Sequence, residues 1–154
     1  MLIDIKQSDR GLIPEIQSYG CLFLCFAYAS PLIFKGAEGR KALNKIWKEA
    51  VKKGYISGDL NHDGDVDDDG EAEILNQNAL ANEFFAMDVR YDEQHHKADE
   101  KIPSKVSVVF GKYVWKGGHF VVLTKSKSIA FDSFGKSNTV KNGKLESMRW
   151  YYAS

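Results

Sequence analysis

Residues 105–134 read KVSVVFGKYVWKGGHFVVLTKSKSIAFDSF. β-branched and aromatic residues recur here with a period of two, interrupted by short glycine, lysine and serine clusters, and this is the pattern of antiparallel strands at hairpin spacing. It predicts strands over 106–110, 113–115, 120–124 and 128–131, joined by 149–152 further on. Gly111-Lys112, Gly117-Gly118, the run 125–127 and Asn142-Gly143 are the expected turns.

Upstream the period is helical. Leu22, Phe23, Leu24, Phe26, Ala27, Tyr28 and Ala29 are apolar almost all round, which predicts a central buried helix from near Gly20 to Pro31. Leu43, Ile46, Trp47, Ala50 and Val51 fall at spacings of three and four and predict an amphipathic surface helix over 41–55. Ile74, Leu75, Leu80, Phe84 and Phe85 predict a third helix over 71–87. Helices first and antiparallel strands second make an α+β fold. Asp92 to Lys101 reads as a charged loop, and His95-His96 within it as a solvated turn.

The chain has 154 residues, Lys+Arg 21 against Asp+Glu 21, two cysteines and no long apolar run, so one domain over 1–154 with no membrane span is expected. Cys21 and Cys25 match neither a zinc pattern nor a disulfide framework. The first eleven residues lack the basic start and apolar core of a signal peptide. Synthesis in the cytoplasm is therefore expected, any action outside the cell following release by other means. Neutrality hides an asymmetry, since Gly54 to Val89 hold ten acids and no Lys or Arg. The remaining basic body scatters its lysines rather than gathering them on one face, and no nucleic-acid partner is expected.

Two constellations carry chemistry. The first joins Gln17-Ser-Tyr-Gly-Cys21, Gly118-His119-Phe120-Val121-Val122-Leu123 and Phe131-Asp132-Ser133. A thiol at a helix N-terminus meets free backbone N–H groups and the positive end of the macrodipole, which favour the thiolate. A histidine at a sheet edge can hold that thiolate and move its proton, with a carboxylate on the next strand fixing the imidazole tautomer. One hairpin turning near Ser126 brings His119 and Asp132 onto neighbouring strands, and Gln17 can offer its amide to an oxyanion. Cys25, one turn further into the apolar helix, reads as a core thiol.

In the chain order Gln17, Cys21, His119, Asp132 the sequence resembles the papain-like cysteine peptidases, and more narrowly the bacterial branch that includes bacteriocin-leader peptidases. The resemblance runs from Gln17 to Asp132, although the Cys-Gly-Ser-Cys-Trp motif of papain is absent and Gln17 stands four residues before the thiol. It implies a papain-like fold with a helical lobe followed by a sheet, and hydrolysis of an amide in a peptide or a peptidoglycan cross-link by Cys21, His119, Asp132 and Gln17. A monomer is expected. The competing class is a non-catalytic, calcium-dependent binding module on the same scaffold.

The second constellation is Asp59, Asn61, Asp63, Gly64, Asp65, Val66 and Asp67, oxygen ligands at alternating positions with glycine at the sixth and an apolar residue at the eighth. This is the pattern of an EF-hand calcium loop, and it also resembles the loops of dockerin modules. The twelfth position is Gly70, so Glu71 one place later, or Asp69 one before, is expected to complete the ligands of a Ca²⁺ ion held at 59–71. Eight carboxylates between Asp59 and Glu73, with no base among them, would repel one another without a cation.

Overall fold

A computed structural model describes residues 3–57 and 74–154. The chain enters through a short helix α1 (Pro14–Tyr19), opened by a proline at its first turn, where a missing N–H costs nothing. Gly20 separates it from α2 (Cys21–Ala29), which buries Phe23, Leu24, Cys25, Phe26 and Ala27. Ser30 ends α2 in extended backbone, as the ring of Pro31 requires of the residue before it. Helix α3 (Gly36–Lys52) begins five residues earlier than the periodicity predicts and turns Gly39, Leu43, Trp47 and Ala50 inward.

The predicted third helix is replaced over its described part by shorter pieces. Ile74 forms an antiparallel bridge with Ile56, and Leu75 and Asn76 donate backbone N–H groups to the Tyr55 carbonyl. Asn76 then caps α4 (Gln77–Ala79) by accepting from the Ala79 N–H, and a π-helical turn, Leu80–Phe84, continues it. Asparagine at 76 competes for the backbone and starts the helix there rather than at 71.

The sheet is antiparallel: β1 (Val89–Tyr91), β2 (His96–Lys97), β3 (Val106–Val114), β4 (Gly118–Leu123), β5 (Ile129–Phe131) and β6 (Lys144–Ala153), with a short helix α5 (Asn138–Asn142) before the last strand. Its order is β1-β6-β3-β4-β5, and β2 also pairs with β6. Two strands, β1 and β2, stand where the sequence reading has a loop or nothing. Gly111-Lys112 is not a turn but lies inside β3. A Cβ at Gly111 would stand 2.7 Å from Leu123 Cδ1 and 2.9 Å from Leu145 Cδ1, so glycine here admits close side chains from both neighbouring strands. The actual turn between β3 and β4 uses Lys116 and Gly117, both at positive φ.

One sheet face packs on the helices, where Phe26 meets Phe85, Phe110 and Tyr151 in a single aromatic cluster. A smaller cluster of Ile102, Val106, Val109, Val121, Leu123, Met148 and Trp150 forms a second core. No helix among the described residues is long and apolar enough to cross a membrane.

Candidate active site

Cys21 is the first residue of α2 and is partly exposed, whereas Cys25 is fully buried. The first N–H groups of a helix have no intrahelical partner and so face whatever stands before the thiol. The close junction with α1 depends on Gly20, whose backbone N–H bonds the Ile16 carbonyl at 2.8 Å. A Cβ at position 20 would lie 2.4 Å from that same carbonyl oxygen.

His119 is the second residue of β4, opposite Tyr113 of β3. Asp132 follows the last residue of β5, and its Oδ1 accepts from His119 Nε2 at 2.7 Å. Both side chains are buried, with 5% and 2% exposure. Because the carboxylate only accepts, it keeps a proton on Nε2 and leaves Nδ1 as the free ring nitrogen. Burial works against a charge on His119, but the hydrogen bonds and charges of Asp132 and Cys21 outweigh it, raising its pKa from 6.5 to about 9. Burial likewise works against the Asp132 charge. Hydrogen bonds from His119 and from the Ser137 and Phe134 backbones prevail, holding this carboxyl well below the usual range. Burial pushes the Cys25 thiol well up, with the charges of Cys21 and Asp132 adding to the effect.

Asp132 is both a turn residue and the partner of His119. Its Oδ1 also accepts from the Phe134 N–H at 3.0 Å, the local turn typical of aspartate, and its Oδ2 accepts from the Ser137 N–H at 3.0 Å. The exposed Phe134 lies against His119, ring centroids 5.3 Å apart. Gln17 does not stand free beside the thiol: its Nε2 donates to the Asp9 carbonyl at 2.8 Å. The buried glutamine is Gln7. It donates Nε2 to the Gln17 carbonyl at 3.0 Å and accepts from the Ser133 hydroxyl at 2.8 Å, tying the segment before Cys21 to the residue after Asp132. Sequence reasoning misses Gln7, Ser133 and Ser137, whose only signals are an Asp followed by a Ser-Phe-Gly turn and a helix-capping serine.

His95 and His96 differ from the expected solvated turn. His95 is exposed, but His96 is buried on β2, where Nε2 meets Asp92 Oδ2 at 2.7 Å and Nδ1 meets Glu100 Oε1 at 3.3 Å. Its ring stacks on Trp150 at 3.4 Å, so it is a satisfied core histidine. No group of three or more His, Cys, Asp or Glu side chains suited to a metal occurs among the described residues. The expected calcium ligands Asp59, Asn61, Asp63, Asp65, Asp67 and Glu71, and also His62, lie outside them.

No curated protein matches the chain, and no solved structure does. Residues 1–153 match a family described as a protein of unknown function, DUF261. With nearly its whole length matched, the chain belongs to the DUF261 family.

Proposed function

We propose that the protein is a thiol-dependent amide hydrolase of papain-like architecture, acting on a peptide or a peptidoglycan cross-link. One observation carries this reading: the buried Asp132 holds His119 Nε2 at 2.7 Å, and Cys21, at the head of α2, is near enough to help raise the pKa of that imidazole. Cys21 Sγ attacks the scissile carbonyl, and the imidazolium of His119 gives its Nδ1 proton to the departing amine. Neutral His119 then takes a proton from water, which displaces the thiol from the thioester and restores the pair. The backbone N–H of Cys21 supports the oxyanion, while Gln17, held by the Asp9 carbonyl, is not positioned to join it. Asp132 keeps Nδ1 turned toward the thiol throughout.

Calcium belongs to the same proposal as a stabilising ion held by Asp59, Asn61, Asp63, Asp65, Asp67 and Glu71. It is supported by the alternating oxygen donors and by the Ile56–Ile74 bridge, which brings the two ends of that stretch together.

The test combines substitution with labelling. Cys21→Ala abolishes peptide hydrolysis and leaves the circular dichroism spectrum unchanged. Cys25→Ala retains hydrolysis and loses about 1 kcal/mol of packing. Iodoacetamide, mapped by mass spectrometry, modifies Cys21 and spares Cys25. A dead Cys25→Ala beside an active Cys21→Ala overturns the assignment.

A further inference from the structure

The sheet register collects positive charge on one face. In β6, Met148 and Trp150 enter the smaller core, so Ser147, Arg149 and Tyr151 alternate onto the face that meets the helices. There Arg149 stands opposite Phe110 of β3, and Ser147 opposite Lys112. On the other side of β6, Lys97 stands opposite Ser147, and one further step of the same register sets His95 opposite Arg149. Lys97, Ser147, Lys112 and Phe120 thus form one row across β2, β6, β3 and β4, and His95, Arg149 and Phe110 form the next. His119 is not among them, because it alternates with Phe120 and shares the opposite face with Val121 and Leu123.

Arg149 is 4% exposed, and a guanidinium removed from water normally meets a carboxylate. No carboxylate of a described residue lies within 4.0 Å of it. Its Nη1 donates to Ser147 Oγ at 2.9 Å and to the Met148 carbonyl at 3.3 Å, and its Cζ lies 5.3 Å from the centre of the Phe120 ring. Nε and Nη2 have no acceptor among the described residues. Neither is sealed in: among those residues Trp150 Nε1 is the one fully buried side-chain nitrogen or oxygen without a partner, so both arginine nitrogens reach solvent. The charges around them are mostly positive. Lys112 lies 4.0 Å from the exposed Glu146, and Glu146 is the carboxylate whose charge bears on Arg149. Asp92 and Glu100 are taken up by His96, on the other face. The exposed His95 has its pKa lowered, first by burial and then by the positive charges of Arg149 and Lys112.

We propose that this face carries a phosphate-binding site separate from the Cys21–His119 chemistry, in which Nε and Nη2 of Arg149 hold two oxygens of a phosphate group and Lys112 and Lys97 balance its remaining charge. The Nε–H and one Nη2–H of a guanidinium run parallel, so this free edge offers a two-pronged grip that a lysine cannot. The bonds to Ser147 and the Met148 carbonyl, with the Phe120 ring beside them, set the plane of that edge in advance. A carboxylate also fits two donors, but its single charge leaves the lysines of the row unanswered. A phosphate monoester brings about −1.5 to −2 and a third oxygen.

The test titrates the native full-length chain, at one fixed ionic strength, with inorganic phosphate, phenyl phosphate and acetate. Phosphate moves the Arg149 Nε–H nuclear magnetic resonance signal, and acetate binds about tenfold to a hundredfold more weakly, as for lost hydrogen bonds to a charged group. Phenyl phosphate binding at least as tightly as the inorganic ion identifies a phosphorylated molecule as the occupant, and inorganic phosphate binding alone identifies the free ion. Lys97→Ala and Lys112→Ala each weaken phosphate about twofold to fivefold, the scale of a solvent-exposed charge, and Arg149→Lys weakens it at least about tenfold. A signal unmoved by either phosphate, acetate binding as tightly as phosphate, or an affinity unchanged in all three variants overturns the site. If Arg149→Lys fails to fold, the native signal and the two lysine variants still decide. None of these readouts involves Cys21 or hydrolysis, so their failure is separate from failure of the hydrolase reading.

Discussion

The His119–Asp132 contact ties together proton position, pH response and stability. The folded-state pKa of His119 stands above its ordinary value, so the stabilisation it reports is complete below pH 6.5 and is lost as pH rises through about 9. That interval corresponds to about 3 kcal/mol. Asp132 is shifted the other way, and its share is complete above about pH 4 and lost as pH falls through its depressed folded value. Since one contact produces much of both shifts, its energy is counted once, and thermal stability is highest between about pH 4 and 6.5. Asp132→Asn removes the charge but keeps an acceptor, so burial then dominates and the His119 pKa drops back toward or below 6.5. Under the proposed hydrolase reading, the alkaline limb of the pH–rate profile, expected near 9 in the native protein, moves down by about two units, and turnover at pH 7 falls about tenfold. A limb that stays in place shows that Asp132 does not govern the imidazole. The side chains of this pair are legible in the sequence because a hairpin fixes the spacing between them. The backbone N–H groups of Phe134 and Ser137 that hold Asp132 are not, because every residue but proline carries the same donor.

Between α1 and α2 a single glycine decides where the thiol sits. Gly20→Ala places a methyl group against the Ile16 carbonyl, and because that oxygen belongs to the backbone, the head of α2 must move rather than a side chain rotate. A displacement on the order of 1 Å at Cys21 costs about a hundredfold in turnover. Cys21 moves relative to His119, while the apolar burial of Phe23, Leu24 and Phe26 holds the remainder of α2. The check is a kcat measurement beside circular dichroism: lost turnover with retained helical signal is expected, and full activity would mean the junction tolerates a side chain. Gly111 shows the other reading of the same residue type. Sequence pattern alone cannot separate a glycine that turns the chain from one that admits a neighbouring strand, which is why β3 is mistaken there for two strands. The period-two pattern identifies the sheet correctly because alternate burial is a property of each strand taken alone. Short β1 and β2 escape it because their pairing depends on the distant β6 rather than on their own few residues.

At the scale of the molecule, distant parts of the chain are closed onto one another, Gln7 onto Ser133 and Ile56 onto Ile74. The second closure sets the boundary condition for the acidic stretch it encloses. Among the described residues it is flanked by α3, ending at Lys52, and by α4, beginning at Gln77. A glycine at the twelfth position of the proposed calcium loop removes the usual bidentate ligand. For the proposed site this places calcium affinity toward the weak end, near the roughly 10⁻⁴ to 10⁻³ M range of extracellular modules. An ion bound by the folded state alone stabilises by RT ln(1 + [L]/Kd), about 2.7 kcal/mol at a hundredfold excess over Kd. Only about 0.4 kcal/mol remains when calcium merely equals Kd. The melting temperature therefore keeps rising with calcium well into the millimolar range instead of saturating at micromolar ion. Chelator abolishes the gain, and so does Asp63→Ala, which removes the ligand at the fifth position of the loop. Magnesium at the same concentration gives a smaller shift, because it keeps more of its own waters. Melting temperatures that are identical with calcium, with chelator and in Asp63→Ala would reduce the loop to an acidic turn.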